Sequence, residues 1–345
     1  MRLGAAMAAV VKAPLWVAAV ATGAKSFVDN PVIGSPRLNR WGLHVGRIRL
    51  AAAVARQRRR WLARRVSPDH QQAFARDGFV VVPDVLPPAA FERLRTELLD
   101  ETWDTREMRQ GSTVTRRVFL DAAFLQRGKP TLAGLLERRD LLALIRYIAA
   151  TGGAPAFSIQ CIIANAAGAV DDPQCVVHVD TFHSTAKAWY FLHDVGPEDG
   201  PFLFVPGSHR ASPARLAWER RQSLGARRHD KRDHAEGSFR IAADELAALG
   251  LPPPRSVTVR ANTLVVADTF GFHGRTPSPR PTRRLEIYAS LRRNPFTPWT
   301  GLDPLSLPFV RARVGSALGL LDRLGVVRTP YRPVGRVRLD APPQV

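Results

Sequence analysis

The sequence predicts a mainly β fold with flanking helices, arranged as a sandwich or a barrel. Between residues 157 and 292, short runs rich in β-formers alternate with Gly, Pro and Asp turns, a spacing typical of sandwiches and barrels. The helix signals lie earlier, between residues 47 and 98. With 345 residues, 45% of them apolar, the chain is long enough to bury a core in one large domain or two small ones.

Three helices and one strand are predicted in the first hundred residues. The helices run over residues 47–66, from Pro68 to near Gly78, and from the Pro87-Pro88 pair through Leu98. The first has an apolar stripe, and arginines cover most of its remaining surface. The second is capped by a serine with proline at the first helical position. Residues 79–83 form the predicted strand.

Seven further strands are predicted, at residues 157–163, 176–180, 189–195, 202–205, 256–260, 263–267 and 285–291. Residues 220–236 are polar and charged without an apolar period, so a mobile loop is predicted there, with His229 and His234 exposed. The tail from Arg311 is predicted to begin as a helix and then to become rich in Pro and Arg.

The charge is concentrated at the amino end. Fifty Lys and Arg against thirty Asp and Glu give a net charge of +20, and residues 1–76 alone carry fourteen basic and two acidic residues. This distribution favours a basic arm that contacts an anionic membrane surface. Nucleic acid is disfavoured, because Trp41 and Trp61 alone do not make an aromatic platform. The alternative is an arginine-covered helix that simply faces solvent.

Two cysteines exclude a disulfide scaffold and a cysteine-based zinc ribbon, and they favour a reducing compartment. Residues 4–23 are apolar but interrupted by Lys12 and Pro14, which disfavours both a membrane span and a signal peptide. The expected location is therefore cytoplasmic, with peripheral contact to the inner face of the membrane through residues 1–65.

Two histidines and a carboxylate form the candidate reactive group. His178 and Asp180 are two residues apart on a predicted strand, so their side chains share one face. His273 follows a buried-looking strand much later in the chain. A close His-x-Asp pair with a distant second histidine is the ligand set of non-haem iron oxygenases, which leaves positions open for reactants. The pair alone is weak, since a chain with nine histidines often contains one by chance.

Three stretches of the sequence, together with this group, share features with a known family. Residues 74–83 carry a helix end and a first strand, residues 195–201 and 205–210 carry an acidic-Gly turn and a Pro-Gly-Ser-His corner, and Arg284 follows His273 by eleven residues. In these features the chain resembles the phytanoyl-CoA dioxygenase family of iron(II)/2-oxoglutarate oxygenases, from about Val66 to Arg293. The resemblance implies a double-stranded β-helix, the cupin-like jelly roll, as the core. It also implies three regions: a basic arm (1–65), the dioxygenase domain (66–295) and a basic C-terminal extension (296–345).

The resemblance implies a role for each residue that matches the family pattern. His178, Asp180 and His273 bind Fe(II), and Arg284 holds the distal carboxylate of 2-oxoglutarate. Arg283 is the alternative, because a slip of one residue in strand register exchanges the two faces.

Further residues are assigned around this centre with an alternative for each. Gln160 and Trp189 line the cosubstrate pocket, or are ordinary strand residues. His183 and Lys187 meet the substrate, or lie in a solvated loop. The arginines at 116 and 117 meet an acidic substrate or face water, and the histidine at 209 is structural.

The activity implied by the resemblance is hydroxylation of an unidentified small-molecule or lipid-linked substrate, with consumption of O2 and 2-oxoglutarate and release of succinate and CO2. Asp180 favours hydroxylation over halogenation, since halogenases of this class have a small residue in its place. Desaturation and ring formation stay open as alternative outcomes. Two alternatives stay open: a non-catalytic metal-binding jelly roll, and an interaction protein that acts through the basic arm. Arg284 argues against the first, because a structural ion needs no carboxylate clamp.

Overall fold

Two antiparallel sheets form the centre of the structure, a computed structural model that describes residues 12–120, 128–164, 172–301, 303, 306, 307, 310 and 329–344. Their strands are β1 (Phe79–Val82), β2 (Thr102–Gln110), β3 (Thr113–Phe119), β4 (Ala156–Ala164), β5 (Ala186–Phe191), β6 (Phe202–Phe204), β7 (Arg255–Val257), β8 (Thr263–Asp268), β9 (His273–Arg275), β10 (Thr282–Leu291) and β11 (Arg332–Arg338). The larger sheet has the order β1-β8-β5-β10-β4-β3-β2-β11, and the smaller has the order β7-β6-β9. The predicted mainly β sandwich, with a jelly-roll core, is confirmed.

Helices flank these sheets. They are α1 (residues 12–19), α2 (Pro36–Arg40), α3 (Leu43–Leu62), α4 (Pro68–Asp77), α5 (Pro88–Leu99), α6 (Pro130–Leu136), α7 (Arg139–Ala149), α8 (Pro213–Gly225), α9 (Arg232–Ala235) and α10 (Ala243–Ala248). The three helices predicted before residue 100 are thus present as α3, α4 and α5. Ser67 caps α4 by accepting a hydrogen bond from the backbone N–H of His70, as its Ser-Pro start predicts.

Side chains of the large sheet alternate between two environments. On β5, Ala188 and Tyr190 pack into the apolar core shared with α5, α6 and α7, whereas Trp189 and Phe191 pack against Phe202 of the small sheet. Successive strand residues point to opposite faces, so the large sheet has one helix-covered face and one face toward the small sheet. The space between the two sheets is where the candidate ligands lie.

The N-terminal basic segment packs against the rest of the protein. His44, Arg47, Ile48 and Arg58 on α3 are all buried. Arg47 donates hydrogen bonds to the carbonyls of residues 20, 22 and 24, and Arg58 donates to the carbonyl of Ala150 at 3.2 Å. The arginines of α3 therefore divide into a buried pair, Arg47 and Arg58, which donates to backbone carbonyls, the half-buried Arg59, which donates to carbonyls and to Asp268, and an exposed set. The domain boundaries predicted at residues 65 and 295 stay predictions.

Three strands of the large sheet were not predicted, namely β2, β3 and β11. The reason is visible at Arg116, which is completely buried in β3 although its charge suggests an exposed position. Its Nη2 lies 2.6 Å from Oε1 of the buried Glu107 on β2. Its Nη1 donates to the carbonyls of residues 338, 339 and 341, just after β11. The expectation that Arg116 faces water or substrate is therefore wrong.

The loop predicted over residues 220–236 is also wrong. This stretch contains the end of α8, a 3-10 turn and α9. Its apolar period is weak because its buried positions are small or polar residues, namely Ser223, Ala226, His234 and Ala235. His229 is exposed as expected, but His234 is buried against Phe239, with ring centroids 4.7 Å apart.

The remaining predictions are met in part. The strands predicted at 189–195 and 256–260 begin earlier, as β5 and β7, and residues 176–180 contribute only a β-bridge at His178. The helix predicted from Arg311 lies outside the described residues. Within the described part of the chain, no helix has both the length and the apolar character that a membrane span requires.

Replacement of Arg116 by Met tests how the C-terminal strand is held. The change removes the guanidinium that neutralises the buried Glu107 and the donor to the carbonyls at the end of β11. We expect the free energy of unfolding from urea denaturation to fall by about 3–5 kcal/mol. Arg338→Met is the control, because that side chain is exposed, and it should leave the free energy of unfolding unchanged. Equal stability of the two variants would contradict this role of Arg116.

Candidate metal centre

Backbone pairing brings two of the three candidate ligands together. His178 and His273 form an antiparallel bridge in which each backbone N–H donates to the carbonyl of the other residue, at 2.8 and 2.9 Å. Their imidazole rings lie side by side with centroids 4.7 Å apart. Residues far apart in the sequence are thus fixed at one point by main-chain hydrogen bonds.

Asp180 joins this pair two residues farther along. Its backbone N–H donates to the carbonyl of Thr269 at 3.0 Å, which continues the pairing between the two segments. Its Oδ1 lies 3.9 Å from Nε2 of His178 and 3.6 Å from Nε2 of His273. One ligand atom from each residue lies within 4.8 Å of the other two, so the predicted constellation does meet at a single point.

The orientation of both imidazoles fits a metal ion. Nδ1 of His178 lies 2.7 Å from the carbonyl of Val176, and Nδ1 of His273 lies 3.0 Å from the carbonyl of Gly271. These contacts place the proton on Nδ1 and leave the lone pair on Nε2, as in metal-binding histidines. Nε2 of His273 is buried and has no hydrogen-bond partner among the described residues. A buried polar atom without a partner is costly, and a bound cation would remove that cost.

The electrostatics keep His178 and Asp180 in their ligating forms. Burial, followed by the neighbouring His273, lowers the pKa of His178 to about 3, so this imidazole is neutral at neutral pH. Burial raises the pKa of Asp180, but Lys187 and then His273 outweigh it and hold the pKa well below its usual range. Nζ of Lys187 lies 2.6 Å from Oδ2 of Asp180. The carboxylate is therefore charged, and its Oδ1 faces the two imidazoles.

A cavity of about 160 Å³ opens beside this centre, between the two sheets. Its wall includes the charged and polar residues Arg117, Gln160, Lys187, His273, Arg275, Arg284, Tyr288 and Tyr331, together with Trp189, Phe191 and Phe202. Four side chains in its lining are cationic, namely those of Arg117, Lys187, Arg275 and Arg284. No described residue of this lining is an aspartate or a glutamate.

A chain of hydrogen bonds crosses the floor of this cavity. Arg117, Gln160 and Glu286 lie opposite one another on β3, β4 and β10. Arg117 Nε donates to Gln160 at 2.8 Å, and Gln160 Nε2 donates to Glu286 at 2.6 Å. The other oxygen of Glu286 accepts from Nε of Arg284 at 3.0 Å. This chain orients the Arg284 guanidinium, whose Nη1 also donates to the carbonyl of Gly200.

The two arginines left open by the register question have different surroundings. Arg284 is buried and lines the cavity, whereas Arg283 is exposed and donates to the carbonyl of Asp340 on the outside. Gln160 and Trp189 also line the cavity, as expected for residues near a cosubstrate. The roles of these residues stay predictions.

The two residues assigned to the substrate lie in different places. Lys187 lines the cavity and contacts Asp180. His183 is buried outside the cavity wall, and its Nε2 has no partner among the described residues. A Cβ placed on Gly23 would lie 3.3 Å from that nitrogen. His183 therefore faces residues 20–25, here called the N-terminal segment.

Two residues of the site were missed by the sequence reasoning. Glu286 could have been found, since it shares the inward face of β10 with Arg284 two residues away. Lys25 could not, because nothing in the sequence places residue 25 near residue 180. Its Nζ donates to the backbone carbonyl of Asp180 at 2.7 Å and to Oγ of Ser238. Burial is the main cause that lowers the pKa of Lys25, to about 8, although Asp180 opposes it.

The histidine of the Pro-Gly-Ser-His corner is structural. His209 is largely buried and packs on Phe74, with ring centroids 5.0 Å apart. It also lies against Gly78, whose φ of +88° ends α4 in the left-handed region. A Cβ on Gly78 would lie 2.5 Å from Nδ1 of His209. Glycine is therefore required at residue 78 both by the turn and by this contact.

Comparison with protein families found a match over part of this chain. The model of the phytanoyl-CoA dioxygenase family matches residues 74–244, a span that includes His178 and Asp180. A comparison with curated proteins found no match.

Several solved structures are similar to this chain. The epimerase SnoN, in complex with Fe3+, alpha ketoglutarate and nogalamycin RO, is 23% identical over 69% of this chain and 92% of that chain, with a TM-score of 0.41. HygX from Streptomyces hygroscopicus with iron bound is 22% identical over 71% and 94%, with a TM-score of 0.40. The carbocyclase SnoK from nogalamycin biosynthesis is 20% identical over 66% and 84%, with a TM-score of 0.39.

Metal titration tests the assignment of the three ligands. We expect the protein to bind one Co(II) ion per chain, followed through the visible absorption of the ion. His178→Ala and Asp180→Ala should each weaken binding by at least about a hundredfold, since even groups that only orient a ligand contribute roughly tenfold to a hundredfold. His70→Ala, which alters a histidine outside the centre, serves as the matched control. Tight binding by either ligand variant would contradict the assignment.

Proposed function

We propose, on the premise that residues 74–244 belong to the phytanoyl-CoA dioxygenase family, that this protein is an Fe(II)- and 2-oxoglutarate-dependent oxygenase. It hydroxylates a small-molecule or lipid-linked substrate. The observation that carries the proposal is the convergence of His178, Asp180 and His273 on one point, at the wall of a cavity that also contains Arg284.

The donor set suits ferrous iron. Two imidazoles and one carboxylate on one side of an ion leave further positions open for reactants, whereas a closed four-ligand site would be structural. When bound here, iron together with 2-oxoglutarate and O2 supplies the oxidising chemistry: one oxygen atom enters the substrate C–H bond and the other enters succinate, with release of CO2. The residues of the chain hold the ligands in place and shape the cavity.

Arg284 is suited to the distal carboxylate of 2-oxoglutarate. Its guanidinium is held from one side by Glu286 and by the carbonyl of Gly200. Its Nη2 makes no hydrogen bond to the described residues and remains available in the cavity. A planar, permanently charged fork pairs well with a carboxylate, and a dry cavity strengthens that pairing.

Lys187 suits a role in orienting Asp180. Because its ammonium occupies Oδ2, only Oδ1 remains to bind the ion, which favours monodentate coordination. The presence of a carboxylate at this position favours hydroxylation over halogenation.

A purely structural metal site is the second candidate for the same residues. It leaves unexplained the buried Arg284 and the hydrogen-bonded chain that orients it. Turnover of 2-oxoglutarate separates the two candidates.

We also propose that the protein contacts the anionic inner face of the membrane from the cytoplasm. The exposed side of α3, here called the α3 outer face, consists of Arg49, Leu50, Arg56, Arg60 and Trp61. The whole helix contains no acidic residue. Arginines together with an exposed leucine and tryptophan are the composition of helices that lie on anionic lipid. Since the other side of α3 is packed, the contact is limited to this face.

Succinate release tests the enzymatic proposal. The protein is purified anaerobically, supplied with Fe(II) and 2-oxoglutarate, exposed to O2 and screened with candidate metabolites. We expect succinate from the wild type and none from His178→Ala. Arg284→Met should raise the 2-oxoglutarate concentration needed for half-maximal rate by about tenfold to a hundredfold, the value of a charged hydrogen bond.

Arg283→Met is the matched control for Arg284, since it removes a neighbouring arginine on the opposite face of β10. It should leave the 2-oxoglutarate dependence unchanged. Binding of Co(II) without any succinate under all conditions would favour the structural metal site instead.

Vesicle sedimentation tests the membrane proposal. The triple variant Arg49→Gln, Arg56→Gln, Arg60→Gln should bind phosphatidylserine-containing vesicles roughly a hundredfold more weakly than the wild type, at roughly 1 kcal/mol per arginine. The control triple variant Arg221→Gln, Arg227→Gln, Arg228→Gln removes equal charge elsewhere. Equal losses in both variants, or equal binding to pure phosphatidylcholine vesicles, would refute a contact through the α3 outer face.

A further inference from the structure

The N-terminal segment forms one wall of the metal centre. Residues 20–24 are held by Arg47 of α3 through three carbonyls. On the other side, Arg292 at the end of β10 donates to the carbonyl of Gly23 at 2.7 Å, and Asn294 donates to the carbonyl of Ala21 at 3.1 Å. This anchoring brings Lys25 to the backbone of the ligand Asp180.

Lys25 has neutral partners only. Its ammonium donates to the carbonyl of Asp180 and to the hydroxyl of Ser238. No carboxylate among the described residues forms an ion pair with it. A largely buried cation that lacks a counter-charge is unfavourable, so this group calls for an anion that the chain does not supply.

Two more cations surround the same point. Lys187 contacts the Asp180 carboxylate, and Arg292 holds Gly23 without a carboxylate partner among the described residues. Lys187 and Lys25 contact the same residue, Asp180, and Arg292 contacts Gly23, two residues from Lys25. Each of the two cations also lowers the pKa of the Lys25 ammonium. Arg292 is exposed whereas Lys25 is half-buried, so Arg292 lies at the mouth of the group while Lys25 lies deeper.

The positive charge of these cations would remain uncompensated when a metal ion and 2-oxoglutarate are bound. Asp180 is the carboxylate shared by the three cations, and its Oδ1 belongs to the metal centre. The cosubstrate has its own cation in Arg284, across the cavity. Positive charge therefore remains on the Lys25 side of Asp180, where 2-oxoglutarate does not reach if it binds between the metal and Arg284.

We propose that Lys25 and Arg292 bind an anionic group of the substrate, a carboxylate or a phosphate, beside Asp180. The inference rests on the proposed function and assigns its substrate class: an anionic molecule whose charged end anchors at the N-terminal segment. Lys25 positions that end, and the rest of the molecule extends toward the metal centre.

Calorimetric titration of protein loaded with Co(II) and saturating 2-oxoglutarate tests the proposal. The probes are phenyl phosphate, benzoate and the neutral benzyl alcohol. We expect one or both anions to bind the wild type and benzyl alcohol not to bind, and the preferred anion distinguishes a phosphate from a carboxylate. Lys25→Met and Arg292→Met should each weaken anion binding by about tenfold or more. Lys25→Arg should restore most of the affinity lost in Lys25→Met.

Lys12→Met is the matched control, because Lys12 is an exposed lysine that precedes the N-terminal segment, and it should bind anions as the wild type does. Thermal unfolding and Co(II) affinity of each variant verify that the fold and the metal centre are intact. Failure of both anions to bind the wild type, equal binding by Lys25→Met, or equal loss in Lys12→Met would overturn the inference while leaving the proposed function in place. Failure of the wild type to bind Co(II) or 2-oxoglutarate would overturn both.

Discussion

The site depends on the reciprocal backbone hydrogen bonds between His178 and His273. These bonds join the segment that precedes β5 to the start of β9, and they are made by main-chain atoms that any residue except proline would supply. The side chains then need only the alternation of a strand to meet, with Asp180 two residues beyond His178 on the same face. Because Nδ1 of each imidazole is fixed by a local carbonyl, the ligating geometry is set before an ion arrives.

A second constraint is the placement of an unusually large number of arginines. Several are buried with a carboxylate of their own, as Arg116 is with Glu107, Arg215 with Glu219 and Arg284 with Glu286. These pairs hold chain ends, a helix and the cavity floor, so much of the charge is used inside the fold. The group around Lys25 differs, since no carboxylate among the described residues forms an ion pair with Lys25, and the carboxylate that acts on it most, Asp180, belongs to the metal centre. Because of this contrast, we propose that the N-terminal segment takes part in substrate binding.

The elements that could be predicted from the sequence are those with a clear apolar pattern or a helix cap. Strands with apolar runs, such as β4, β8 and β10, were predicted nearly to their ends, and so was the capped helix α4. The strands β2, β3 and β11 were missed, because a buried arginine such as Arg116 removes the alternation by which a strand is recognised. Residues 220–236, which include the end of α8, were predicted as a loop because their buried positions, such as Ser223 and Ala226, are small or polar.

Some residues of the candidate site could likewise be predicted from the sequence, and others could not. His178, Asp180 and His273 were found because their spacing carries chemistry, and the family likeness added Arg284, Gln160 and Trp189. The contact of Lys25 with Asp180 could not be predicted, because it depends on how a segment distant in the sequence packs. The central claim is that the three ligands hold one iron ion that faces Arg284 across the cavity. Anomalous X-ray diffraction at the iron edge, on crystals loaded anaerobically with Fe(II) and 2-oxoglutarate, measures this directly. The account predicts a single iron peak bonded to Nε2 of both histidines and to Oδ1 of Asp180, with the distal carboxylate at Arg284. Iron bound elsewhere, or a cosubstrate that does not contact Arg284, would contradict it.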